Sequence, residues 1–283
     1  MLSDELKKRL VLFLEDDHWH ADATAQVTPE KTATAIIKAN DSATLAGLEE
    51  SLFLFSHAGL TVQSRKKDGD LIHQGDVVLQ ATGSNRAILS VERTALNVLG
   101  RMSGVATLCR HAQAMAGKST TLALTRKTIP GFNAFDKKAA DVAGIWPHRL
   151  HLEDAVLIKE NHLAFFGSPA DAVLAARKNP AVKTGGTNGP KMVEIEVQTL
   201  DELKSAVSAR PDMVLLDNFS LSKAEEAVAW CKKAAPDVKI ELSGGIRLSN
   251  LAAFAALQPD YISLGALTKD AHTVDFSLDF VKG

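Results

Sequence analysis

The chain has 283 residues, 46% of them apolar and 23% charged, with 32 lysines and arginines against 34 aspartates and glutamates. Such a length and apolar share allow a sizeable core in one large domain or two smaller ones, and the near-balance of charge, without a long basic face carrying aromatics, argues against a nucleic-acid partner. No apolar run approaches the ~18 residues of a membrane span, and Leu10 to Leu14 is too short for a signal-peptide core, so a cytoplasmic enzyme or binding protein is expected.

Residues 4–14 repeat apolar positions at helical spacing, and the acidic tract Glu15-Asp16-Asp17 with His18-Trp19-His20 ends that helix in a loop. The histidine pair could hold a metal, although exposed loop histidines are far commoner. A β-branched run at 32–38 predicts a strand, 47–58 a helix closed by Gly59, and 61–65 and 77–82 two strands separated by the turn Lys67-Asp68-Gly69-Asp70. The first ~80 residues therefore read as a small α+β unit, judged by the order of strands and helices. A long helix is predicted over 90–116, with Val91, Ala95, Leu96, Leu99 and Met102 as its apolar stripe and Arg93 off that stripe, free to reach out or to pair with Glu92 or Asn97. The two cysteines, Cys109 and Cys231, lack metal-type spacing and read as buried small apolar residues.

Beyond Gly117 strands and helices alternate. Strands are predicted at 121–124, 155–158, 192–197, 213–216, 239–242 and 261–264, with helices between them at about 133–143, 169–178, 200–209, 221–234 and 248–257. Short continuous apolar runs joined by helices belong to a parallel sheet or barrel buried on both faces. Polar residues gather where the strands stop: Thr125-Arg126-Lys127, Lys159-Glu160-Asn161-His162, Asp217-Asn218, Ser243-Gly244-Gly245 and Gly265-Ala266, with His148-Arg149 after Trp146-Pro147. In a barrel those ends share one mouth, where chemistry collects. Six strands fall short of the eight of a full barrel, so either the barrel is incomplete or two strands are hidden.

In a chain of net charge -2, the cations of Arg126, Lys127, His148, Arg149 and Lys159 point to a small polyanion. Glu196 and Asp217 could hold a hard ion such as Mg²⁺ together with substrate phosphates, or pair with Lys159; alternation sets Glu194 on the same strand face as Glu196 and leaves the choice between them open. The turns Ser243-Gly244-Gly245 and Gly265-Ala266 each follow a strand and precede a helix, which suits a phosphate. The glycine-rich run 184–189 precedes a strand and reads as a surface loop. Together these residues describe a barrel-mouth enzyme for a multi-anionic substrate, a phosphorylated co-substrate and Mg²⁺.

With those residues in place, the chain resembles the quinolinate phosphoribosyltransferases, the carboxylating nicotinate-nucleotide pyrophosphorylases. The blocks that carry the resemblance run in order: Asp22-x-Thr24, Leu45-Ala46-Gly47, Glu92-Arg93-Thr94-Ala95-Leu96-Asn97, Ser103-Gly104-Val105-Ala106-Thr107, Thr125-Arg126-Lys127-Thr128-x-Pro130-Gly131, His148-Arg149, Leu157 to His162, Glu194-Ile195-Glu196-Val197, Leu216 to Phe219, Ser243-Gly244-Gly245 and Gly265-Ala266-Leu267. The resemblance implies an α/β fold: a sandwich domain over 1–104 joined by the segment 270–283, and an incomplete (β/α) barrel over 105–269, as in type II phosphoribosyltransferases. It implies that quinolinate and phosphoribosyl pyrophosphate give nicotinate mononucleotide, pyrophosphate and CO2, in a homodimer or higher even oligomer with Arg93 acting across the interface.

By the same resemblance Arg93, Thr125, Arg126, His148, Arg149 and Lys159 hold quinolinate, while Lys127, Glu196, Asp217, Ser243, Gly244, Gly245, Gly265 and Ala266 meet the phosphoribosyl pyrophosphate and its Mg²⁺. Lys127, Lys159, Glu196 and Asp217 are the expected catalytic set, and Glu196 and Asp217 the metal ligands. The chain departs from the family's pattern at Trp146-Pro147, Leu124, Trp19, Ala21 and Lys269. Proline before His148-Arg149 is similar to the ModD-like relatives, which would act on another anionic acceptor, whereas Lys159-Glu160-Asn161-His162 keeps the phosphoribosyltransferase pattern. Two other classes compete: a barrel decarboxylase or aldolase using Lys159 as a Schiff base, and a non-catalytic phosphosugar-binding barrel.

Overall fold

A computed structural model describes residues 2–185 and 190–281; the loop expected at 184–189 lies outside them from Gly186 to Gly189. In chain order the strands are β1 (Thr32–Ala39), β2 (Ala43–Thr44), β3 (Thr61–Gln63), β4 (Leu71–Ile72), β5 (Val77–Ser84), β6 (Thr121–Leu124), β7 (Val156–Ile158), β8 (Val193–Val197), β9 (Met213–Asp217), β10 (Lys239–Ser243), β11 (Tyr261–Leu264) and β12 (Phe276–Phe280). The first five helices are α1 (Asp4–Asp16), α2 (Ala23–Val27), α3 (Leu48–His57), α4 (Asn85–Ala116) and α5 (Asn133–Val142). The chain divides into two compact units. One takes residues up to Arg110, Thr128–Gly144 and those from Leu267 on; the other takes His111–Lys127 and Ile145–Ala266.

In the first unit β12, β1, β5 and β3 form an antiparallel sheet. β1 alternates as a half-buried strand should, with Ala35, Ile37 and Ala39 buried, and β12 pairs along it with Ile37 opposite Leu278. The short pair β2–β4 carries no periodic signal of its own in the sequence, whereas β12, not among the expected strands, alternates Phe276, Leu278 and Phe280 with Ser277 and Asp279. On α4 the expected stripe is buried throughout, and Arg93 is exposed. α4 begins at Asn85, five residues before the predicted start, because β5 runs directly into it.

Two sequence blocks find their physical reason here. The Ser103 hydroxyl donates to the Ala46 carbonyl at 3.0 Å and accepts from the Ala46 amide at 3.1 Å, which pins the loop before α3 to α4. A Cβ on Gly104 would lie 1.9 Å from the His272 carbonyl oxygen, so the chain leading into β12 can cross α4 only at a glycine. α5 belongs to this unit too, through a bidentate Arg101–Asp136 pair with both bonds at 3.0 Å and a Lys138 ammonium shared by Glu49 and Glu50.

The second unit is a parallel sheet in the order β6-β11-β10-β9-β8-β7, with Trp146 bridged to Ala123 on the free edge of β6. Among the described residues no pairing joins β6 to β7, so this is an incomplete barrel of six strands, each within a residue or so of its predicted span. Side chains alternate across these strands. Val193, Ile195, Val214, Leu216, Ile240 and Leu242 make an apolar outer face; Glu194, Glu196, Leu215, Asp217, Glu241 and Ser243 share the inner one. Cys109 and Cys231 are free and buried, and burial pushes their thiols up to about 12 and about 11, so neither is a nucleophile. No described helix is long and apolar enough to cross a membrane.

Candidate active site

The carboxyl ends of the barrel strands surround a cavity of about 660 Å³. Thr125, Arg126 and Lys127 after β6, His148 and Arg149 after the Trp146 bridge, Lys159 after β7, Glu196 on β8, Asp217 on β9, and Ser243, Gly244 and Gly245 after β10 all line it. Parallel pairing brings this about, since each strand arrives from the same side and stops at the same level. Gly265 and Ala266 follow β11 without lining the cavity; Gly265 lies beside Lys127, where a Cβ would come within 3.1 Å of the lysine Cδ. Arg93 is on α4 in the other unit, in a cleft of about 580 Å³ with Phe13, Asn97 and Pro130.

Around the cavity charges are set against one another. The Lys159 ammonium donates to a Glu196 carboxylate oxygen. Burial pushes Glu196 up to about 7, helped by a hydrogen bond with Glu160 and opposed by Lys159, while that same bond holds Glu160 below the usual carboxylate range. Burial pulls the Arg149 guanidinium down from its usual value; the Glu194 carboxylate works against that and the Arg126 cation adds to it. A small dianion placed between the two guanidiniums would relieve their repulsion, and Arg forks match carboxylates bidentately.

The glycine turn is shaped by its neighbours. Gly244 has φ 77° and Gly245 φ 67°, and a Cβ on Gly244 would lie 2.6 Å from Asp217 Oδ1 and 2.5 Å from Asn218 Oδ1. Only glycine gives this backbone room beside the carboxylate. Asn218, itself at φ 56°, donates its side-chain amide to Asp217 Oδ2 at 2.7 Å and its backbone N–H to the Ser243 carbonyl at 3.0 Å, so the aspartate is held in place.

Beneath the mouth a second polar layer lies inside the barrel. His148 Nε2 is 3.0 Å from Glu194 Oε2 and 3.7 Å from Glu241 Oε2, and both glutamates are buried. Burial pushes Glu241 up to about 8, with the charge of Glu194 adding to it and a hydrogen bond from Ser263 opposing it. Glu194 Oε1 and Glu241 Oε2 have no hydrogen-bond partner. Alternation had set Glu194 and Glu196 on one face; the structure divides them, with Glu196 at the mouth and Glu194 under it. Glu241, Gln198 and Ser263 also line the cavity and were not singled out from the sequence, and Glu160, named there only as part of a strand-end run, lines it too. A carboxylate in the middle of the apolar run Lys239-Ile240-Glu241-Leu242 was the signal for Glu241.

Two of the departures are also located. Trp146 is half-buried and packs at a tilt against the His148 ring, with centroids 4.4 Å apart, and the Tyr261 ring, 4.5 Å apart, and it does not line the cavity. Trp19–Ala21 form a short 3-10 turn that His18 precedes in a left-handed conformation, and among the described residues the His18-Trp19-His20 run belongs to no group of side chains with metal-ligand spacing.

An incomplete α/β barrel whose mouth combines arginines and lysines, two carboxylates and a glycine turn defines an enzyme of small anionic substrates. Family comparison makes that class specific: the quinolinate phosphoribosyl transferase C-terminal domain matches residues 105–279 and the corresponding N-terminal domain matches 22–103. The chain belongs to the quinolinate phosphoribosyl transferase family. It is 36% identical over 264 residues to a probable nicotinate-nucleotide pyrophosphorylase [carboxylating] of Archaeoglobus fulgidus, covering 92% of this chain and 98% of that protein. It is 35% identical to the nicotinate-nucleotide pyrophosphorylase [carboxylating] of Mycobacterium leprae, covering 94% and 93%. Among solved structures, NadC from Streptococcus pyogenes superposes with a TM-score of 0.89 at 33% identity, over 100% of this chain and 99% of that one.

Proposed function

We infer that this chain transfers the phosphoribosyl group of phosphoribosyl pyrophosphate to quinolinate with decarboxylation, giving nicotinate mononucleotide, pyrophosphate and CO2 for NAD biosynthesis. The observation that carries this reading is the convergence of Arg126, Lys127, Arg149 and Lys159 on one cavity that also holds Glu196, Asp217 and the Ser243-Gly244-Gly245 turn, in a chain of this family.

The acid is assigned to Thr125, Arg126, His148, Arg149 and Lys159, joined in a homodimer by Arg93 of the partner subunit. Quinolinate is a pyridine dicarboxylate, and two guanidiniums already crowded together gain most from its two charges. The phosphoribosyl pyrophosphate is assigned to Lys127, Glu196, Asp217, Ser243, Gly244, Gly245, Gly265 and Ala266. The ring nitrogen forms a bond to the anomeric carbon as the bond to pyrophosphate breaks, and the electron pair leaves with pyrophosphate. Glu196 and Asp217 face the positive charge that develops on the sugar. The adjacent pyridinium nitrogen then stabilises the electron pair left on the ring carbon when the neighbouring carboxylate departs as CO2, and that pair takes up a proton.

The donor set fits a hard divalent ion: two carboxylates at the ends of adjacent strands, beside a glycine whose missing Cβ leaves Asp217 Oδ1 open. Glu196 and Asp217 would hold Mg²⁺, which when bound neutralises charge on the departing pyrophosphate. A Schiff-base role for Lys159 is disfavoured by its ion pair with Glu196, which keeps its nitrogen a donor. The test is a coupled assay of pyrophosphate release with phosphoribosyl pyrophosphate, Mg²⁺ and a panel of quinolinate, nicotinate and other pyridine acids. Release with quinolinate is expected. Release only with a different acid would keep the reaction class and move the acceptor towards the ModD-like reading.

A further inference from the structure

Decarboxylation leaves an electron pair on the ring carbon that carried the departing carboxylate, and that carbon must receive a proton. The lysines and arginines of the cavity are poor sources, because an ammonium or guanidinium that gives up its proton loses the charge with which it holds an anion. Glu196 and Asp217 are assigned as carboxylates to the sugar and the metal. A further acid lines the cavity, Glu241 on β10.

Its place follows from the strand. Glu241 is two residues before Ser243, so it lies on the same face, one layer below the glycine turn assigned to the phosphosugar. Its Oε2 is 3.7 Å from Nε2 of His148, which is assigned to the acid. The ring nitrogen must meet the anomeric carbon between those two sides, and the carbon that loses CO2 is bonded to that nitrogen. Glu241 therefore lies beneath the junction where that carbon has to be.

Its surroundings keep a proton on it. Glu194 and Glu241 are both buried and face one imidazole. Glu194 Oε2 has the hydrogen bond, at 3.0 Å from Nε2, whereas 3.7 Å is beyond hydrogen-bond reach and Glu241 Oε2 has no partner. Two buried carboxylates so close together resist ionising together, and the one without a donor at that oxygen keeps the proton. Burial is the largest influence on Glu241; Glu194 and Glu196 add to it, while Ser263 and Lys159 oppose it.

We propose that Glu241 is a catalytic acid. As the C–C bond to the departing carboxylate breaks, the O–H proton of Glu241 passes to the ring carbon, a C–H bond forms, and Glu241 is left as a carboxylate that takes a proton from water before the next turnover. The inference rests on the reading of the cavity as a quinolinate site. Until it escapes, CO2 can recombine with the carbanion, and protonation makes its loss irreversible, so the acid governs how fast CO2 appears.

The test is a single-turnover experiment on the full chain with phosphoribosyl pyrophosphate, Mg²⁺ and quinolinate, following pyrophosphate, CO2 and the nucleotide products in the wild type, Glu241→Gln and Glu241→Asp. In the wild type CO2 should keep pace with pyrophosphate. In Glu241→Gln, which keeps the shape and loses the acid, CO2 should lag pyrophosphate by at least about tenfold while the nucleotide that still carries both carboxylates accumulates. Glu241→Asp, still an acid but shorter, should recover part of that loss. Equal slowing of pyrophosphate and CO2 in Glu241→Gln, or no change in either, would overturn the proposal. A wild-type protein that releases no pyrophosphate with quinolinate would sink the functional reading itself, and the proposal with it.

Discussion

Glu194 and Glu196 sit two residues apart on β8, on the same face of the same strand, and their surroundings differ sharply. Glu196 borders the cavity, with Lys159 and Glu160 as partners; Glu194 lies fully buried beneath, with His148 as partner and one oxygen unpaired. The difference teaches how a barrel uses carboxylates. At the mouth a carboxylate acts on what enters, and its partners are there to be exchanged. One layer down Glu194 acts on the protein, by holding His148, which lines the mouth.

Changes at the mouth should give the largest effects. Asp217→Ala, which removes a carboxylate proposed to face the sugar and Mg²⁺, is expected to lower kcat/KM for phosphoribosyl pyrophosphate by roughly 10²–10³-fold, measured at fixed saturating quinolinate. Next comes Arg149→Ala, which should raise KM for quinolinate by about 100-fold, the scale of one charged hydrogen-bonding pair, and leave KM for phosphoribosyl pyrophosphate nearly unchanged. Equal losses for the two substrates would erase the assignment of acid and phosphosugar to separate sides of the cavity.

The lower layer should announce itself in stability. Glu241 has its folded pKa raised to about 8, above its ordinary value, so it holds a proton in the native state at pH values where the unfolded chain has lost it. The stability linked to that proton is complete below the ordinary carboxylate range and is lost as pH rises through about 8. Thermal melts of Glu241→Gln and the parent chain should therefore agree at low pH and diverge upwards, the variant gaining at most about 1.4 kcal/mol per pH unit, with a plateau above the folded pKa. A constant gap across pH would mean that this carboxyl is ionised in the native protein.

A smaller effect should fall outside both layers. Thr199 caps the helix Leu200–Ser208 in a capping box with Glu202, its hydroxyl accepting from the Glu202 amide at 3.1 Å. Thr199→Ala should cost about 1 kcal/mol in stability and leave both KM values alone, as checked by denaturant titration and steady-state rates.

Much of the barrel was legible because its strands are short apolar runs that end in polar residues, and the mouth could be read from those ends. The pair β2–β4 could not, since two residues a side show no period and Ala43 finds its partner Ile72 far along the chain; β12 was not expected, although Phe276, Leu278 and Phe280 alternate with Ser277 and Asp279 as a strand should. Arg126, Lys127, Lys159 and Asp217 were legible as strand-end charges, Arg149 by its place after Trp146-Pro147, and Glu196 as a carboxylate within a strand. Glu241 was hidden by the expectation that a buried strand is apolar, and the engagement of His148 by Glu194 and the Arg149 amide depends on one left-handed residue that sequence spacing does not reveal.

The most direct test of the central claim is stoichiometry: quinolinate labelled in its 2-carboxylate, with CO2 and pyrophosphate counted in the same reaction. The account predicts one CO2 for each pyrophosphate, and neither product without phosphoribosyl pyrophosphate. CO2 released in its absence, or pyrophosphate released without CO2, would contradict it.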